Sequence, residues 1–216
     1  FKLNQEQYER YLERINNINN ENNPSYIVSK MKEQSKDKNV SVPYIGRQMV
    51  LPVLEELCYD DYFSDEYVYN YICDNWSFVE NGYDLGQIAE YLYEYRYGDC
   101  SCDITKLLKK QLRKQIDTDD YLTIYRGFNH TTRPDGNSFT LSKAKAIWFA
   151  NRYVSMGKEK GYVNKYKIHI SDVLAFITDI KEAEIVAMPD DVILLEEQIN
   201  CIITHPLPSG GIQSLL

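Results

Sequence analysis

An α+β fold, with a helical N-terminal half followed by a region of short strands, is what three features of this 216-residue chain predict. Up to residue 116, apolar residues recur at three-and-four spacing, the period of helices that bury one face. After the polar turn Asp117-Thr118-Asp119-Asp120 the pattern changes to short β-prone runs. A single helical segment lies among those runs, and short strands after a helical half point to α+β. The composition permits such a fold. Apolar residues make up 44% and charged residues 26%, which suits a chain with a real core and excludes bulk disorder and collagen. No apolar run exceeds five residues, and Val192-Ile193-Leu194-Leu195 has four, far too short to span a bilayer, so no membrane association is expected.

Each element has its own signal. Tyr8, Tyr11, Leu12, Ile15 and Ile18 form one helix face, ended by the Asn-rich stretch Asn16 to Asn23. Pro24 opens the next helix, with Ile27, Val28 and Met31 on one side. Pro43 and Pro52 punctuate a third helical region reaching Cys58, and Ser64-Asp65-Glu66 starts a fourth that runs toward Trp76. Leu85, Ile88, Tyr91, Leu92 and Tyr95 mark a further amphipathic helix. Asp103 is a good N-cap for a basic helix over Ile104 to Ile116. Tyr121 to Tyr125 reads as a strand ending at Arg126-Gly127, and a polar loop from Asn129 to Asn137 leads to a strand at Ser138-Phe139-Thr140. Ser142 caps a helix through about Tyr153. Further strands are expected at 162–170, 175–177, 184–188, 192–195 and 200–204. The domain division that follows is 1–116, helical, and 117–216, carrying the strands.

Charge is unevenly spread. The net value of −8 hides an acidic block over residues 55–99, with 12 acidic and 1 basic group, and a basic block over 100–170, with 14 basic and 6 acidic. The overall balance disfavours indiscriminate nucleic-acid binding, while the basic block suggests an anionic ligand near it. Five cysteines, an odd number in a chain too large to need staples, read as reduced thiols in a cytoplasmic protein. Cys100-Ser101-Cys102 has no second Cys/His pair at zinc spacing, and His130, His169 and His205 are scattered, so no metal is expected.

Three separated pieces of the second half carry the chemistry: Tyr125-Arg126-Gly127 on the first strand, Ser138-Phe139-Thr140 on the next with Ala146-Ile147-Trp148-Phe149-Ala150 after it, and Glu182-Ala183-Glu184 opening a late strand. Each alone is commonplace. In this order, each at a strand edge, they resemble the R-S-E class of ADP-ribosyltransferases, the cholera-toxin-like, arginine-modifying group, in its compact bacterial or phage form. The resemblance covers roughly residues 120–205 and nothing in 1–115. It implies a split β-sandwich core over 117–216, NAD as co-substrate without a metal, and transfer of ADP-ribose to an intracellular acceptor, as a toxin or effector would do.

The resemblance also implies roles. Arg126 is the anion handle for the NAD phosphates or ribose, with Gly127, Ser138 and Thr140 beside it. Glu184 accepts from the ribose 2′-OH and stabilises the oxocarbenium-like charge. Ser138 holds Glu184 in place, and Glu182 orients or deprotonates the incoming nucleophile. Glu-x-Glu favours protein arginine as acceptor, because a guanidinium needs a nearby anion to dock. A nucleic-acid base, as in a toxin–antitoxin or phage-defence enzyme, is the alternative; plain NAD hydrolysis and a catalytically inactive nucleotide- or partner-binding module are others. The helical half is expected to serve acceptor recognition or an inhibitory partner such as an antitoxin. Ser142 reads as a cap, Trp148 and Phe149 as core packing, and Tyr125 as pointing to the core. Arg133 and His130 are expected to be solvated loop residues, and the helix bearing Lys106, Lys109, Lys110, Arg113 and Lys114 could flank the mouth of the site. The ten tyrosines between Tyr59 and Tyr97 are expected to pack helices together.

Overall fold

The computed structural model describes residues 22–79, 82–98, 103–129, 135–152, 161–178 and 183–200. The predicted helix over Tyr8 to Ile18, most of the Asn-rich stretch and the predicted strand at 200–204 beyond Asn200 lie outside these residues. Within them the fold is a mixture of helices and antiparallel sheet.

The helical half consists of α1 (Pro24–Lys36), α2 (Val50–Cys58), α3 (Asp65–Asn75), α4 (Gly82–Tyr97) and α5 (Ile104–Leu112). Their starts follow the local chemistry. Asn23 and Ser64 cap α1 and α3 by accepting from the N–H groups of Tyr26 and Tyr67. Pro52 falls in the first turn of α2, where its missing N–H costs no helical bond. Asp103 accepts from the Lys106 N–H at 2.9 Å and caps α5. That helix stops four residues short of the expected Ile116. Its last turn tightens, with the Gln115 and Ile116 N–H groups both bonding the Leu112 carbonyl, and Ile116 instead bridges Leu122.

Six strands follow: β1 (Tyr121–Phe128), β2 (Ser138–Thr140), β3 (Tyr162–His169), β4 (Val173–Ile177), β5 (Glu184–Ala187) and β6 (Ile193–Asn200). One helix, α6 (Lys143–Asn151), lies between β2 and β3. The strands pair in the order β4-β5-β2-β1-β3-β6, all neighbours antiparallel. β1 and β3 register over eight residue pairs, whereas β1 and β2 share a single pair, Tyr125 with Thr140. The sheet is thus two three-stranded halves hinged at one point. Two expectations are corrected. β1 does not end at Arg126-Gly127 but runs on to Phe128, and the strand expected at 192–195 is β6, which continues to Asn200. β6 is an edge strand whose residues 193–197 are all exposed, so Glu196 and Glu197 interrupt the apolar pattern without interrupting the strand.

Helices and sheet share one continuous core. It joins Ile27, Leu54, Ile72, Leu92 and Leu108 of the helical half to Leu122, Ile124, Ile168, Leu174 and Ile185 of the sheet. Tyr69 of α3 donates to the Leu174 carbonyl at 3.1 Å, and Arg96 of α4 to the carbonyls of Ser171 and Ile170, fastening the helices to the β4 side of the sheet. As expected, Tyr71 is buried between helices, whereas Tyr69 is buried against the sheet, and Tyr59, Tyr62, Tyr67, Tyr93 and Tyr97 lie exposed. On the other side of the sheet a smaller cluster forms where Ala146 and Ala150 of α6 meet Val163 and Tyr125.

Ser142 has the backbone of an N-cap and accepts from the Lys145 N–H at 3.3 Å, while its own N–H donates to Thr140 Oγ1. The helix it caps ends at Asn151 rather than near Tyr153. Ser142→Ala is expected to cost about 1 kcal/mol, the usual worth of such a cap, lowering the thermal midpoint by roughly 2–4 °C. Differential scanning calorimetry checks it.

Candidate active site

A cleft of about 300 Å³ opens where the two halves of the sheet part. Arg126, Gly127, Ser138, Thr140 and Glu184, five of the six residues singled out from the sequence, line it. The sixth, Glu182, lies outside the described residues, as do His130 and Arg133.

Arg126 arrives there by alternation. Leu122 and Ile124 precede it on one face of β1 and are fully buried, so the guanidinium takes the place of the next apolar residue in the row. It donates through Nη1 to the Ser138 carbonyl and stands 5.8 Å from the centre of the Phe139 ring. A Cβ on Gly136 would overlap Nη2, so a side chain there would displace the guanidinium from this position. Burial pulls the Arg126 pKa below the ordinary arginine value, and Tyr166, Asp135 and Glu184 oppose the shift. An arginine starts so far above neutrality that the group stays charged at any physiological pH.

Glu184 opens β5. In the β2/β5 register Ser138 pairs with Val186 and Thr140 with Glu184, which sets Ser138 diagonally across from Glu184 on one face. The Ser138 hydroxyl donates to Glu184 Oε1. A second donor reaches the same oxygen from the helical half: Trp76 Nε1 at 2.8 Å. Ser138 therefore spends its carbonyl on Arg126 and its hydroxyl on Glu184, linking cation and anion through one residue. Phe139, between the two polar positions of β2, is buried edge-on against Tyr166 and pins the strand.

Gly127 contributes by what it lacks. A Cβ there would overlap the Ala146 carbonyl oxygen and stand 2.8 Å from the Ala150 nitrogen, so only glycine lets α6 lie this close to β1. That approach brings Lys145, Phe149 and Arg152 into the cleft wall, with Tyr125 and Leu85 completing its apolar part. Among the described lining residues are thus three cations, Arg126, Lys145 and Arg152, and a single carboxylate. The arrangement can bind an anion and hold one oriented carboxylate next to it.

Several sequence expectations change here. Phe149 lines the cleft and Trp148 is half-buried against Phe149 and the Arg152 guanidinium, so neither joins the main core. Tyr125 packs against the α6 cluster and also forms cleft wall, rather than pointing into the main core. The basic helix α5 does not flank the mouth. It packs on β4 and the turn after β3, and Lys109 pairs with Asp120 just before β1 begins, six residues and roughly 20 Å of extended chain from Arg126. Trp76, Leu85, Lys145 and Arg152 went unread as site residues. Lys145 and Arg152 carry a usable signal, flanking the Ala-x-x-Phe-Ala stretch on one turn-spaced helix. Trp76 and Leu85 carry none, because only folding brings them here.

Among the described residues, no group of three or more His, Cys, Asp and Glu side chains could hold a metal ion, and no helix is long and apolar enough to cross a membrane. Cys73 is inert by burial, which pushes its thiol up to about 12. Cys100, Cys102 and Cys201 lie outside the described residues. No protein-family model, curated protein or solved structure matches the chain.

Proposed function

We propose that the chain is a mono-ADP-ribosyltransferase that moves ADP-ribose from NAD to an intracellular acceptor, with protein arginine preferred. The observation that carries the reading is the meeting of Arg126, Ser138 and Glu184, distant in sequence, around one cleft. The R-S-E resemblance requires that meeting, and chance placement on three strands does not. Two further features favour it. The sheet is hinged at the single Tyr125–Thr140 pair, as a split sandwich core would be. The lining also carries an excess of cations beside its one described carboxylate, which suits a pyrophosphate.

In this reading Arg126, with Lys145 and Arg152 nearby, binds the phosphates, and the apolar wall of Tyr125, Phe149 and Leu85 takes a ring of the dinucleotide. The bond between ribose C1′ and the nicotinamide nitrogen breaks with its electron pair leaving on nicotinamide. The positive charge that develops on the ribose is stabilised by Glu184, held by Ser138 and Trp76. The acceptor nitrogen then bonds to C1′ and gives up a proton. Glu182 keeps the role of taking that proton on its sequence position alone, two residues ahead of Glu184.

The test is incubation of the protein and cell lysate with NAD labelled in the ADP-ribose, followed by protease or nuclease treatment of the product. Label released by protease and resistant to nuclease is the expected result. Nuclease-sensitive label would move the acceptor to nucleic acid, label found only in free ADP-ribose would indicate hydrolysis, and absence of nicotinamide release under every acceptor condition would leave only a binding module.

A further inference from the structure

The side chain of Trp76 is buried in the helical part of the core, 2% exposed, yet its one polar atom bonds Glu184, a residue of the cleft wall. It stands at the end of α3, where the helix tightens into a short 3-10 turn over Trp76–Phe78. The turn is held from several sides. Tyr69, seven residues earlier, is bonded to the Leu174 carbonyl of β4; Tyr71 to the Val50 carbonyl of α2; and the Val79 N–H to the Trp76 carbonyl. Since β4 is the direct neighbour of β5, the Tyr69 bond ties α3 to the part of the sheet that holds Glu184. A buried indole N–H wants an acceptor, and here it finds Glu184 Oε1 at 2.8 Å.

An indole nitrogen can only donate, and so can the Ser138 hydroxyl when it faces a carboxylate. Both are spent on the same oxygen of Glu184. Two donors, one on the sheet and one on the helices, hold that oxygen in place. Bonds to a charged acceptor are the strong kind, and a group held this way needs no reorganisation when charge develops beside it.

We propose that Trp76 is a positioning residue for Glu184, so that the helical half completes the active centre in addition to any recognition role it has. The inference rests on the transferase reading for its consequence in turnover, but the orientation of Glu184 by Trp76 can be measured without any activity. Folding of the sheet region alone would leave Glu184 with Ser138 as its one structural donor from this pair, and a looser carboxylate.

Two measurements test it on the full chain. The protein has two tryptophans, Trp76 and Trp148, so 15N-tryptophan labelling yields two indole N–H resonances, assigned with Trp148→Phe. Glu184→Ala is expected to move the Trp76 indole resonance and speed its hydrogen exchange, leaving Trp148 unmoved. A Trp76 resonance that stays in place overturns the proposal whatever the protein catalyses. In the second measurement, Trp76→Phe keeps an aromatic ring and removes the donor. Nicotinamide release from NAD is expected to lose about 10–100-fold in kcat, with KM for NAD within about twofold. A folded Trp76→Phe protein with wild-type kcat also overturns the proposal. If the variant folds poorly, the resonance measurement on Glu184→Ala decides. If the indole resonance moves but the wild-type protein releases no nicotinamide, the orientation of Glu184 stands and the transferase reading falls.

Discussion

Glu184→Gln is expected to lower nicotinamide release from NAD by about 10²–10³ in kcat, the loss that accompanies removal of one preorganised electrostatic group. The substitution isolates charge. The glutamine carbonyl oxygen still accepts from the Ser138 hydroxyl and the Trp76 indole, so the packing around β5 is retained. What disappears is the negative charge facing the ribose as the bond to nicotinamide lengthens. KM for NAD should change little, because Arg126 and its neighbouring cations, not Glu184, face the phosphates in this reading. Steady-state nicotinamide release, with circular dichroism to verify folding, is the measurement. Wild-type turnover by a folded Glu184→Gln protein would remove the transferase reading altogether.

The second large effect falls on stability. Gly127→Ala is expected to destabilise the protein by roughly 3 kcal/mol, the upper end for forcing an extra methyl into a packed site. For a chain of this size that corresponds to a thermal midpoint lower by roughly 6–12 °C. The added Cβ meets backbone on α6, the Ala146 carbonyl and the Ala150 nitrogen, neither of which can swing aside as a side chain would. The only relief is for the helix to move away from β1. Because α6 carries Lys145 and Phe149 into the cleft wall, the same displacement should raise KM for NAD. Thermal unfolding followed by circular dichroism reads the first effect and kinetics the second. A midpoint within 2 °C of wild type would mean that β1 and α6 are not in contact at this glycine.

Much of the fold could be read locally. Asp103, Ser64 and Ser142 each cap the helix that follows because a short polar side chain reaches the N–H three residues on, an interaction contained within one turn of chain. The strand at Ser138–Thr140 shows in its polar alternation, and the late strand from Glu184 in its β-prone run. Errors arose where the deciding partner was remote. Glu196 and Glu197 looked like the end of a strand, since nothing in the sequence marks β6 as an edge with an exposed face. Phe149 looked like core because an apolar residue beside Trp148 and Ala150 carries no label for which wall it will face.

The order Arg126, Ser138, Glu184 was written in the chain itself, and so, in the transferase reading, was the reason for each residue type: a cation to hold phosphate, a hydroxyl to brace, a carboxylate to face developing charge. Alternation along β1 even placed Arg126 in line with Leu122 and Ile124, where a buried cation calls for an anion. Only the tertiary structure decided that these residues share one cleft, because that depends on the β2/β5 register and on the single pair that hinges the sheet. It alone also brought Trp76 to Glu184 across 108 residues. Hydrogen bonds between groups so far apart leave no periodicity behind; they exist because a shared hydrophobic core, built from both halves, sets the helices against the sheet.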